Sequence, residues 1–208
     1  MNEKALFDFS YGVYILSSKD GERDVGCIAN SAMQVTSKKP TIAVSVNHDN
    51  FTNSCIKTSG VFALSILSEK CDPAVIGTFG FKSSRDTDKF SGVESIEKNG
   101  VAVLSAAKSY IVCKVEDALE TETHTVFLGR VIEADVFSDE TPMTYDYYHR
   151  VIKGKAPKNA PTYRVEEEVS TKQKWICTVC GYEAEADELP DTFTCPICSV
   201  PRNLFRKA

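Results

Sequence analysis

Along the first 150 or so residues, apolar and polar positions alternate with a period of about two, the signature of half-buried β-strands. Tyr11–Ser17, Thr41–Val46 and Val61–Leu67 are rich in β-branched and aromatic residues, as are Tyr110–Val115 and the long run Thr125–Phe137. In that long run Val126, Leu128 and Arg130 fall on one face of a strand, with Phe127, Gly129 and Val131 on the other. Two short helices are predicted between strands. One starts near Asn50, where polar residues supply a cap, and stops at Gly60. The other covers Asp72 to Thr78 and carries Pro73 in its first turn. Many strands with few helices predict a mainly β domain closed as a barrel.

The rhythm breaks over residues 156–173, where Pro157, Pro161 and the run Glu166–Glu168 replace apolar positions. That composition suits an exposed connection. Beyond it come four cysteines: Cys177-Thr-Val-Cys180, fourteen residues, then Cys195-Pro-Ile-Cys198. Two CxxC pairs can place four thiolates at the corners of a tetrahedron around one metal ion. So short a segment buries too little apolar surface to fold alone, so the metal is expected to supply much of its folding energy. The chain thus divides into 1–155, a linker over 156–172, and a metal knuckle over 173–208.

Composition narrows the function. A formal charge of −5 leaves no basic surface for nucleic acid. The N-terminus shows no secretory signal, and no apolar run is long enough to span a bilayer. Cys27, Cys55, Cys71 and Cys113 are widely spaced among apolar or small residues and are read as reduced, structural thiols of a cytoplasmic protein. There is no GxGxxG segment and no Walker-type loop, so neither a Rossmann dinucleotide site nor a P-loop is expected. His48, His124 and His149 have no metal-ligand spacing.

Four local patterns carry a resemblance. They are Gly26-Cys-Ile-Ala-Asn30-Ser31-Ala-Met-Gln34-Val35-Thr36, Ser45-Val-Asn47-His-Asp-Asn50-Phe51-Thr52, Phe79-Gly-Phe-Lys-Ser83-Ser84-Arg85-Asp86-Thr-Asp-Lys89-Phe90 and Thr123-His124-Thr-Val-Phe-Leu-Gly129. In order and spacing the first domain resembles the flavin reductase family, whose members have a split β-barrel and bind FMN at a homodimer interface. The resemblance implies FMN, with FAD the alternative, and cofactor contacts from Asn30, Ser31, Gln34, Val35, Thr36, Ser45, Asn47, Asn50, Phe51, Thr52, Ser83, Arg85 and Lys89. The chemistry agrees. A helix opening after Asn50 leaves unpaired backbone N–H groups that suit a phosphate, although Asn50 and Thr52 also make ordinary helix caps. Asn30, Ser31, Gln34 and Thr36 offer short polar groups for the ring edge and ribityl chain, or make a polar turn. Arg85 and Lys89 are cations for the phosphate or the ring carbonyls, or solvated surface charges. His124 corresponds to the family histidine on the nicotinamide side, with Glu122-Thr123 in place of the frequent Gly-Asp. The segment Met143–His149 is aromatic enough to pack at a dimer interface or beside the flavin, with core packing the default.

The tail resembles rubredoxin in the shortened form found at the end of rubrerythrins. Trp175, Tyr182, Phe193 and Phe205 supply an apolar shell, and Gly181 suits a left-handed turn that aims N–H groups at sulfur. One iron per chain is expected, with zinc the alternative because both metals accept this geometry. Together the two parts resemble the high-molecular-weight rubredoxins of anaerobes. That resemblance implies electrons entering from NADH or NADPH, passing through FMN to the iron, and leaving to a flavodiiron protein. Two other readings stay open: an electron-transfer module without nicotinamide activity, and a flavin reductase with a structural zinc ribbon.

Overall fold

The computed structural model describes residues 2–152, 154 and 173–208. The expected linker, 156–172, lies outside the described residues. After a 3-10 turn at Glu3–Asp8 come β1 (Tyr14–Asp20), β2 (Arg23–Ala29), β3 (Ala32–Thr36) and β4 (Thr41–Asn47). Helix α1 (Phe51–Ser59), β5 (Val61–Ile66) and helix α2 (Pro73–Phe81) follow. The domain ends with β6 (Ser95–Lys98), β7 (Val101–Leu104), β8 (Ser109–Glu120), β9 (His124–Val136) and helix α3 (Tyr145–Arg150).

The seven long strands form one antiparallel sheet in the order β2-β1-β5-β8-β9-β4-β3. Strands β2 and β4 are not bonded to each other, yet Cys27 and Ala29 of one share a core with Ile42, Val44 and Val46 of the other. The sheet therefore curls on itself as a split barrel, plugged by Ile56 of α1, Phe62, Leu64 and Phe127. Alternation places neighbouring residues in different cores: Leu16 points into the barrel, while Ile15 joins an outer cluster with Ile76 and Phe79 of α2 and Met143, Tyr145 and Tyr148 around α3. On β9 the odd positions Thr125, Phe127 and Gly129 are buried and Arg130 is exposed, as the alternation requires.

Both predicted helices form. Asn50 caps α1 by accepting from the Thr52 amide at 3.1 Å, and Gly60 ends it at φ +68°. Asp72 caps α2 through the Ala74 amide at 2.9 Å, and Pro73 opens its first turn. Helix α2 runs three residues past the expected end, because Phe79 and Phe81 are buried or half-buried against apolar neighbours. The first predicted strand begins three residues late, at Tyr14, because Gly12 makes an isolated bridge to Thr144 instead. With the Ser68–Pro142 bridge, that pairing brings the aromatic segment back across the barrel mouth.

The tail has a three-stranded sheet, β11-β10-β12, built from β10 (Lys174–Cys177), β11 (Glu183–Glu185) and β12 (Phe205–Lys207). Trp175 and Phe205 are buried at its centre, with Tyr182 and Phe193 packed around them. Phe81 and Ile152 of the barrel domain pack against the same cluster.

Candidate cofactor cavity and metal centre

A cavity of about 370 Å³ opens at the barrel mouth. Its apolar side is Val13, Ile28, Ile76, Phe79, Tyr145 and Tyr148; its polar side is Asn30, Ser45, Asn47, Asn50, Ser83 and Lys89. His124 and Phe51 also line it. Eight of the fourteen residues expected to touch cofactor or nicotinamide therefore converge here. Ser31, Gln34, Val35, Thr36, Thr52 and Arg85 do not line it. Gln34, Val35 and Thr36 lie exposed on β3, a strand bonded only to β4. There the Gln34 amide donates to the Thr36 carbonyl at 2.9 Å. Arg85 is exposed and stands over the Phe51 ring with its Cζ 5.3 Å from the centroid.

Lys89 departs from the expectation for a lone cation. It is 3% exposed, and its Nζ donates to the carbonyls of Gly26 at 2.8 Å and Phe79 at 3.1 Å. Phe79 belongs to the last turn of α2, whose carbonyls have no partner within the helix, so the lysine caps the negative end of that helix. Burial pulls its pKa down to about 8. Ser84 braces the same corner, exchanging hydrogen bonds with the backbone of Gly26 at 3.1 and 2.9 Å.

Cys27 also lines the cavity, and burial raises its thiol pKa although Lys89, Thr52 and Asn50 partly oppose the shift. His124 Nδ1 pairs with the Thr123 hydroxyl at 2.8 Å. Desolvation, then the neighbouring charge of His48, lowers its pKa, so the imidazole is neutral at pH 7. Asn50 spends its side-chain oxygen on the helix cap, so Asn50→Ala is expected to cost about 1 kcal/mol of stability. Chemical denaturation of the flavin-free protein checks this.

The donor set fits a flavin. A planar amphipathic ring needs an apolar face, amide and hydroxyl groups at its polar edge, and a cation near its anionic atoms. The cavity supplies all three. Cys27, Tyr145, Tyr148 and Phe79 were not singled out as cavity residues by sequence. Cys27 and Phe79 stand inside two of the patterns that carry the resemblance, and Tyr145 and Tyr148 in the aromatic density of Met143–His149.

In the tail, the Sγ atoms of Cys177, Cys180, Cys195 and Cys198 all lie within 4.8 Å of one another. Cys177 and Cys198 approach to 3.6 Å and Cys180 and Cys195 to 3.4 Å. Metal–sulfur bonds of about 2.3 Å in a tetrahedron put sulfurs about 3.8 Å apart, so the cage is preformed at nearly the required size. Gly181 takes φ +74° as expected, and Ser199 takes φ +57° in the second knuckle. Sulfur receives N–H groups there: Tyr182 serves Cys180, Ile197 and Cys198 serve Cys195, and Val200 serves Cys198. The Cys180 thiol first, and these amides after it, hold Cys195 well below the usual thiol range. Thiolates so supported suit a bound cation.

Comparisons with known proteins agree with both sites. Residues 6–154 match the flavin reductase like domain, and residues 175–206 match the rubrerythrin, rubredoxin-like domain. The chain is 36% identical to the high molecular weight rubredoxin of Moorella thermoacetica over the full length of both. It is 39% identical to the ferric-chelate reductase (NAD(P)H) of Archaeoglobus fulgidus, over 78% of this chain and 98% of the relative. An NADH:FAD oxidoreductase of Streptomyces globisporus superposes with a TM-score of 0.62 at 24% identity, covering 68% of this chain and 85% of that one.

Proposed function

We propose, for a chain that belongs to the flavin reductase like family and is an oxidoreductase with the two-domain build of the high molecular weight rubredoxins, that it converts nicotinamide hydride into single electrons. The observation that carries this reading is that one chain holds both a cavity with an apolar side, amide and hydroxyl side chains and a buried lysine, and a four-thiolate cage. Residues 1–155 are the flavin domain, 173–208 the metal domain, and 156–172 the tether between them.

FMN is the proposed flavin and iron the proposed metal. Bound flavin supplies two-electron acceptance with one-electron release, and a four-thiolate iron supplies one-electron exchange. The chain's own residues then act as follows. Asn30, Ser45, Asn47 and Ser83 orient the ring and its side chain. The Phe51 amide, which opens α1 next to the Thr52 and Asn53 amides already bonded to Asn50, meets the phosphate. Lys89 places a cation beside the anionic part of the cofactor. Neutral His124 borders the nicotinamide side without adding charge. Tyr145, Tyr148 and Phe79 keep water from the apolar face. NADH or NADPH is the donor, and a redox protein of the flavodiiron type is the acceptor.

A homodimer completes the site. Met33 and Val35 on β3 and Leu119 on β8 are exposed apolar side chains on or near an open sheet edge. A second copy covering them would bring the β3 residues Gln34, Val35 and Thr36, with neighbouring Ser31, to a shared cavity, and sedimentation tests that state.

Anaerobic titration of the purified protein with NADH, followed by visible absorbance, tests the whole reading. Flavin and ferric-thiolate bands are expected to bleach together. Flavin bleaching over a colourless metal site would leave a flavin reductase with a zinc ribbon. Two oxidised chromophores after excess NADH and NADPH would leave an electron carrier with another donor.

A further inference from the structure

Helix α2 reads Pro73-Ala-Val-Ile-Gly-Thr-Phe-Gly-Phe81, with no charged side chain on any face. A helix that is apolar all round needs cover all round. The barrel domain covers one side through the cluster that holds Ile76 and Phe79. The other side is covered by the metal domain, which takes Phe81 and Ile152 into its own cluster. The two meet at Gly77. A Cβ built there would overlap the carbonyl oxygen of Ile197 and stand 3.0 Å from Cα of Cys198. Those atoms are backbone and cannot swing aside. Glycine inside a helix costs about 0.8–1.0 kcal/mol relative to alanine, so α2 accepts a weaker helix in exchange for contact.

The two knuckles provide an internal comparison. They repeat the same turn: the Gly181 amide donates to the Cys177 carbonyl at 2.9 Å, and the Ser199 amide to the Cys195 carbonyl at 2.8 Å. The third position of each is an apolar β-branched residue. Val179 in the first knuckle is 45% exposed, whereas Ile197 in the second is 1% exposed. The Ile197 carbonyl lies against Gly77 of α2, whereas the Val179 side chain is open to solvent. Meanwhile Ile76, Phe79, Gly80 and Phe81 of α2 line the cavity. A helix with its side chains is about 10–12 Å across, so this one helix sets the separation between cavity and second knuckle.

We infer that Gly77 is the seat on which the second knuckle docks, making Cys198–Ile197 the inward port of the metal centre and leaving the Val179 knuckle as its outward port. The inference rests on the redox reading above. A hydride brings two electrons and a proton. With flavin and iron bound, the electrons would cross α2 singly, each reducing one ferric centre, and the proton would go to water. Discharge through the Val179 face readies the centre for the second crossing. Transfer from cavity to metal is then within one chain.

Docking is measured by ¹⁵N relaxation of the full-length, zinc-loaded protein, whose metal is diamagnetic. In the parent, amides of residues 173–208 are expected to share the rotational correlation time of the barrel. Gly77→Ala favours the helix yet places a methyl in the backbone of Ile197, so the metal domain is expected to tumble separately. Ile197→Asp is expected to release it from the other side, while Val179→Asp leaves it docked. In the iron form, Gly77→Ala is expected to slow bleaching of the ferric-thiolate bands after NADH without slowing that of the flavin bands. A parent whose metal domain tumbles freely, or a Gly77→Ala protein that stays docked, overturns the inference. Failure of NADH and NADPH alike to bleach either chromophore refutes the nicotinamide-driven reading instead, and the relaxation result stands apart from it.

Discussion

Cys195→Ser is expected to abolish metal binding, erase the ferric-thiolate bands and unfold residues 173–208, with the flavin bands and their bleaching by nicotinamide retained. The effect is large because the tail has little else to hold it. It has 36 residues, and domains below about 40 residues seldom fold without a metal or disulfides. Apparent binding energies of about 10–16 kcal/mol for structural zinc in small peptides give the scale of what one lost thiolate puts at risk. A serine hydroxyl is a hard, weakly acidic replacement for a soft ligand, and it also loses the amides of Ile197 and Cys198 as thiolate partners. Metal analysis, visible absorbance and trypsin sensitivity at Lys174, Arg202 and Arg206 report the three consequences together. A variant that keeps one metal per chain and resists trypsin would show that the fold of the tail does not depend on the fourth thiolate.

Lys89→Met is expected to weaken flavin binding by roughly 10- to 100-fold, the equivalent of the 1.5–3 kcal/mol carried by a hydrogen bond to a charged group. The same variant has a pH signature. In the folded protein Lys89 titrates at about 8, against about 10.5 when unfolded. Below pH 8 both states are protonated, and burial of the charge is a standing cost to the fold. Between pH 8 and 10.5 the unfolded state holds more protons, so this residue's contribution to stability rises with pH and is complete above that window. The rise amounts to roughly 3 kcal/mol. Buried thiols at Cys27 and Cys113, whose pKa values are raised, push stability the other way as pH climbs. The difference between parent and variant isolates the lysine. Denaturant midpoints of the flavin-free proteins at pH 7 and 10 should diverge in the parent's favour at the higher pH, and parallel profiles would refute the assignment.

What the sequence reveals depends on the range of the interactions that decide it. The metal cage is legible because its ligands sit in two local turns and the spacing is itself the geometry. The long strands are legible because Phe127 and its alternate neighbours declare which face is inside. Strand β2, Arg23-Asp-Val-Gly-Cys-Ile-Ala29, was not predicted, since its charged start and central glycine spoil the alternation. Lys89 reads as a surface cation until the fold brings it to two carbonyls, one of them 63 positions away. Tyr145 and Tyr148 reach the cavity through the bridges at Thr144 and Pro142, which no local pattern encodes. Helix α3 escapes for the same reason: Tyr-Asp-Tyr-Tyr-His-Arg is a weak helix former held by packing and by the cap at Thr144.

Gly77 also sets an expectation for relatives. Its helix would be firmer with almost any other residue, so selection for the barrel alone has no reason to keep glycine there. The Archaeoglobus fulgidus relative aligns with 78% of this chain over 98% of its own length, and so is the shorter protein. In relatives whose barrel carries no such tail, a side chain is expected at this position, with a polar surface around it.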